Sequence, residues 1–111
     1  MQKCFLLAIL FVLPAHAHDD ILEGYFTYGN EVSTFKACNS ADIYWLSYSG
    51  FLMSEVQSLA LAQPKPYTSI FLKFRGHEHF EEVDGYQAQY KRQLHLSEVI
   101  SFNGEIPSGC G

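Results

Sequence analysis

His77-Glu78-His79 sets two imidazoles two residues apart. On an extended backbone, residues i and i+2 project to the same face, so both rings reach one metal ion, and neutral imidazole suits zinc and copper. His95 offers a third nitrogen. The competing reading is an exposed polar loop beyond Gly76, in which these histidines simply face solvent. A second nitrogen pair arises at the other end of the chain. Cleavage after Ala17 leaves His18 with a free α-amino group beside its imidazole, ahead of Asp19 and Asp20. Amine and imidazole together chelate copper; without that chemistry the terminus is frayed and solvated. No cofactor is expected other than copper or zinc at these histidines.

Catalysis has less to work with. A nucleophile must be held by a base, and neither G-x-S-x-G nor H-E-x-x-H occurs. Glu81-Glu82 and Asp84 could be imagined as the acid pair of a glycosidase. A charge run in a loop is usually just solvated, however, and a domain this small lacks a deep cleft. The chain reads as a non-enzyme.

The aromatics Tyr25, Tyr28, Tyr44, Trp45 and Tyr48 are the candidates for ligand binding. Phe26 and Tyr28 share one face of a first strand, with Tyr25 on the other. Tyr44, Leu46 and Tyr48 share a face of a third strand, opposite Ile43 and Trp45. A small barrel needs only one inward face per strand, so some of these rings must lie outside. There they stack on sugars or dock a protein. The plainer alternative is packing against the helix, the termini or the 76–89 loop.

The elements that position these residues can be read from pattern. Ile21–Tyr28 is rich in β formers, Gly29-Asn30 is a two-residue turn signal, and Glu31–Lys36 returns, making a hairpin. Ile43–Tyr48 is a third strand. In "SGFLMSEVQSLALAQPKP", Leu52, Val56, Leu59 and Ala60 fall on one helical face, and the helix must stop before Pro64-Lys65-Pro66. Thr68–Arg75 alternates as a fourth strand. Residues 76–89 are polar, interrupted by Asp84-Gly85, and read as loop or a short hairpin. Tyr90–Phe102 is a long fifth strand with Leu94, Leu96, Ile100 and Phe102 on one face. Glu98 falls on that apolar face, and a bulge or a place at the barrel rim would re-aim it. Three strands, a helix and two strands is the order of a five-stranded OB-fold-like barrel, an all-β architecture with its one helix between strands 3 and 4. The competing topology is an open sheet covered by that helix.

The chain has 111 residues. Met1–Lys3 is a short basic start, Cys4–Leu13 is apolar, and Ala15 and Ala17 take the small-residue positions of a signal peptidase site. Residues 1–17 are therefore expected to be a cleaved leader, too short in its apolar run to span a bilayer, and 18–111 a single domain. Cys4 stands at the start of the apolar run and not just after it, so no lipid attachment is expected. The balance of 12 acidic to 7 basic residues argues against nucleic acid and anionic membranes as partners. Once Cys4 is gone, Cys38 and Cys110 remain in a chain sent to an oxidising compartment, and a disulfide between them is the default reading. A redox-active or metal-binding pair is the alternative, though the close spacing of a C-x-x-C site is missing.

The pattern "GYFTYGNEVSTFKAC", then "YWL", then "DGYQAQY" ahead of the last strand, with a cysteine near the end, resembles the C-terminal OB domain of NlpE-type envelope lipoproteins and small periplasmic relatives. The resemblance spans Gly24 to Cys110. It implies an OB fold, a periplasmic location and a Cys38–Cys110 disulfide. In that family, stress signalling and copper tolerance go with a lipid anchor and a separate domain carrying C-x-x-C, neither of which is expected here. The expected function is a monomeric, exported binding or accessory module with an envelope protein, small ligand or saccharide as partner. The alternative is a copper- or zinc-binding envelope protein using the histidines.

Overall fold

The structure is a computed structural model that describes residues 19–111; the expected leader and His18 lie outside the described residues. Five strands close into one barrel. They are β1 (Asp20–Gly29), β2 (Val32–Ala37), β3 (Tyr44–Ser47), β4 (Ile70–His79) and β5 (Arg92–Asn103). Their order around the barrel is β1-β2-β3-β5-β4. All pairs are antiparallel except β3 with β5. The helix α1 (Ser54–Leu61) lies between β3 and β4, as the OB-like order requires. Among the described residues no helix is long and apolar enough to cross a membrane.

Alternation along the strands builds the core. Phe26, Phe35, Leu46, Leu72, Phe74 and Leu96 point inward and are fully buried. Phe35 and Phe74 meet edge to face at 4.9 Å, a contact that adds about 0.5–1.5 kcal/mol to the burial of either ring. The helix caps one end of the barrel through Met53, Val56 and Ala60. Leu52, expected on that face, is instead exposed and precedes the helix, and Met53 takes its place.

Two local expectations are corrected at the first hairpin and at β4. Gly29 pairs with Val32, so the two-residue turn is Asn30-Glu31, with Glu31 in the left-handed region at φ 64°. Gly29 stays within the strand, and the Tyr67 ring occupies the space a Cβ there would need. The fourth strand does not end at Arg75 but runs on to His79. Gly76 lets it continue: a side chain there would collide with the His95 carbonyl of β5.

The fifth strand carries two extra residues against β4. Lys73 faces Ser101 while Phe74 faces Val99, which leaves Ile100 unopposed. Arg75 faces Glu98 while Gly76 faces Leu96, which leaves Ser97 unopposed. Each bulge shifts the alternation by one residue. Glu98 is thereby turned outward, where it accepts a 3.1 Å hydrogen bond from Arg75 Nε. Ile100, expected inside, is exposed, and Val99 packs on the core in its stead. The two shifts cancel, so Phe102 returns to the inner face.

Cys38 and Cys110 are joined by a disulfide. It fastens the C-terminal turn to the end of β2, where Asn39 N–H donates to the Cys110 carbonyl at 3.0 Å and Asn39 Nδ2 to the Gly109 carbonyl at 3.3 Å.

Candidate functional site

Strands β2 and β3 pair only at Thr34–Trp45 and Phe35–Tyr44. Beyond that point the Ser33 hydroxyl donates a buried 2.7 Å hydrogen bond to the Leu46 carbonyl in place of a ladder bond. The strands part there and leave a cleft of about 340 Å³ walled by Tyr28, Glu31, Trp45, Ser47 and Tyr48. Oligosaccharides and oligonucleotides bind OB barrels on this strand 2–3 face, between the loops that follow strands 1 and 4.

The segment between β4 and β5 touches two of the residues that line the cleft, Glu31 and Trp45. It contains a 3-10 turn at Gly85–Gln89. Tyr86 donates a 2.6 Å hydrogen bond to the Glu31 carboxylate at the hairpin tip. The Tyr90 ring tilts against Trp45 at 5.7 Å. Gln93 Nε2 holds the segment from below by donating to the carbonyls of Gln87 and Tyr90 at 2.8 and 3.0 Å. Deeper in, Tyr48 packs on the core and its hydroxyl accepts a 2.7 Å hydrogen bond from Gln57 of α1. Burial pushes its pKa above the usual phenol value.

The five sequence-selected aromatics therefore separate. Tyr28, Trp45 and Tyr48 meet in the cleft. Tyr25 lies on the outer face of β1 with the Lys36 ammonium 4.7 Å over its ring. Tyr44 packs toward the core at the other end of β3, its ring under the Arg92 guanidinium at 4.9 Å. Glu31, Ser33 and Tyr86 were not singled out by sequence. Tyr86 sits in a stretch that reads as loop, and only the closed barrel brings it to Glu31, 55 residues away.

The histidines come together on the adjoining outer wall. Because β4 extends to His79, His77 stands directly across from His95 on β5, with ring centroids 5.7 Å apart. The expected exposed loop is therefore a strand at these positions. A polar row crosses the barrel here. Asp19 accepts from His77 Nδ1 at 2.8 Å, and Ser47 Oγ lies 3.1 Å from His95 Nδ1. The Ser47 hydroxyl also lies within hydrogen-bond reach of the Leu94 carbonyl, at 3.2 Å.

His77, His79 and His95 line one cleft of about 340 Å³ with Glu81, Val83 and Gln87. His79 Nδ1 is buried without a hydrogen-bond partner among the described residues. Burial, and then the neighbouring His77 and His79, push His95 below the ordinary imidazole value. Hydrogen bonds from Ser97 and His77 hold Asp19 below the usual carboxylate range. Among the described residues, no three His, Cys, Asp or Glu side chains already converge on a common metal position.

No family model, no curated protein and no solved structure matches the chain.

Proposed function

We propose that this chain is an exported, non-catalytic binding module of the cell envelope that holds a saccharide in the β2–β3 cleft. The observation that carries this reading is the cleft itself. Three aromatic residues line a gap between parted strands, on the face OB barrels use for ligands, and Glu31 of that lining accepts a hydrogen bond from Tyr86. Aromatic faces stack on the apolar face of a sugar ring, while the Glu31 carboxylate and the Ser47 hydroxyl offer partners for sugar hydroxyls. The chain's net charge of −5 and the Glu31 carboxylate in the cleft lining disfavour a polyanionic ligand. Export into an oxidising compartment is supported by the leader-like start and by the disulfide, and the resemblance to NlpE-type C-terminal domains belongs to the same proposal.

The chain has one tryptophan, so its fluorescence reports on the cleft alone. Titration with N-acetylglucosamine oligomers and with maltodextrins is expected to shift Trp45 emission saturably with at least one series. Trp45→Ala should abolish binding while leaving the far-UV circular dichroism unchanged. A flat titration with both series, with amide shifts in the cleft also unmoved, overturns the saccharide assignment.

A further inference from the structure

We propose that His77 and His95, with His79 as third ligand, form a binding site for a divalent transition cation of the imidazole-preferring class, zinc or copper. This goes beyond the saccharide cleft and does not depend on it.

The backbone fixes the pair. His77 and His95 are register partners on neighbouring strands and project from the same face. Two nitrogens bound to one tetrahedral zinc at bonds of 2.0–2.1 Å stand about 3.3 Å apart. Rings whose centroids are 5.7 Å apart can reach that spacing by turning their nitrogen edges toward one another.

The hydrogen bonds decide which nitrogens are free. His77 Nδ1 is taken by the Asp19 carboxylate, the arrangement in which an outer carboxylate orients a metal-bound imidazole and raises its basicity. His95 Nδ1 lies 3.1 Å from the Ser47 hydroxyl, which anchors that edge of the ring to β3. His77 is therefore held as the Nδ1–H tautomer with its Nε2 lone pair available, and His95, engaged at Nδ1, has Nε2 as its other ring nitrogen. Two imidazoles oriented this way by outer groups on different elements are more than a pair of adjacent histidines.

His79 follows two residues after His77 on the same strand and borders the same cleft. Its buried Nδ1 has no hydrogen-bond partner among the described residues, which costs free energy unless something binds it. Glu81 borders the cleft as well and offers a fourth ligand. Calcium and magnesium prefer oxygen donors, so a set led by imidazole selects against them. The side chains do not already converge, so binding draws the rings together across the cleft.

The test uses the exported chain with its disulfide intact, titrated separately with Zn²⁺ and Cu²⁺ by calorimetry and by NMR of the imidazole protons. One ion per chain is expected, with a Kd of about 1 µM or tighter and with the His77, His79 and His95 resonances moving together. Asp19→Asn is expected to weaken binding by about tenfold or more while leaving the thermal transition in place. His77→Gln/His95→Gln should abolish it, and a melting curve confirms that this variant folds. If that pair unfolds the protein, the single His79→Ala and Asp19→Asn variants decide the matter. The proposal is overturned if neither ion binds saturably, or if binding survives His77→Gln/His95→Gln and disappears with His18→Ala, which would place it at the chain terminus.

Discussion

Tyr86, in the segment between β4 and β5, donates a 2.6 Å hydrogen bond to Glu31 at the tip of the β1–β2 hairpin. Two loops that meet nowhere in sequence are thereby tied at Glu31, one of the residues that line the β2–β3 cleft. The acceptor carboxylate makes the bond charge-assisted, and it raises the pKa of the Tyr86 phenol.

Removing this tie should loosen the loop without unfolding the barrel. Tyr86→Phe deletes one hydroxyl from an exposed pair, so the global unfolding midpoint is expected to stay in place. Amide exchange in residues 80–90 should accelerate, because the segment then opens more often. Unchanged exchange there would mean that Gln93 and the Tyr90–Trp45 contact alone hold the segment.

The double bulge in β5 can be tested by substitution at adjacent positions. Val99 packs on the core and Ile100 is exposed, the reverse of simple alternation. Val99→Ser is expected to cost about 1–3 kcal/mol through lost apolar burial and an unsatisfied hydroxyl. Ile100→Ser should cost under about 1 kcal/mol. Urea unfolding of the two variants checks the order, and equal or inverted losses would place the bulges elsewhere.

Tyr48 predicts an alkaline limb in stability. Burial raises its folded pKa above the unfolded value near 10, so the native state favours the neutral phenol. The stability this contributes is fully present below about pH 10 and is lost as pH rises through the folded pKa, because only the unfolded chain ionises readily in that window. Denaturation midpoints measured upward from pH 9 should therefore fall. Tyr48→Phe should lower stability at pH 7 by about 1 kcal/mol, by stranding Gln57, and make the alkaline fall shallower. An identical slope in both proteins would assign the limb to other tyrosines, such as Tyr44, whose pKa is also raised by burial.

The disulfide closes a sequence separation of 72 residues. Restricting the unfolded chain in this way contributes about 4 kcal/mol, comparable with the whole net stability of a small domain. Cys38→Ala/Cys110→Ala is expected to lose about that much in urea unfolding. A loss below about 1 kcal/mol would show that the Asn39 hydrogen bonds to the C-terminal turn are sufficient to hold it.

Much of this protein is legible in its sequence. The alternating β formers, the turn residues, the Pro64-Lys65-Pro66 stop and the two distant cysteines determined three strands, one helix, two strands and a staple, because each of these signals is local or compositional. Alternation likewise separated Tyr28, Tyr44 and Tyr48 from Tyr25 and Trp45. Tertiary structure decided the rest. Gly76 has no local signature of a strand interior, and only the closeness of the His95 carbonyl explains it, so the extension of β4 that puts His77 opposite His95 could not be read along the chain. The bulges that exchange Val99 and Ile100 arise from pairing with β4. The Tyr86–Glu31 tie and the Asp19–His77 and Ser47–His95 contacts all join residues more than 40 positions apart. Periodicity reports which face of its own strand a side chain takes; which strand lies beside it, and in what register, is set by closing the barrel around one shared core.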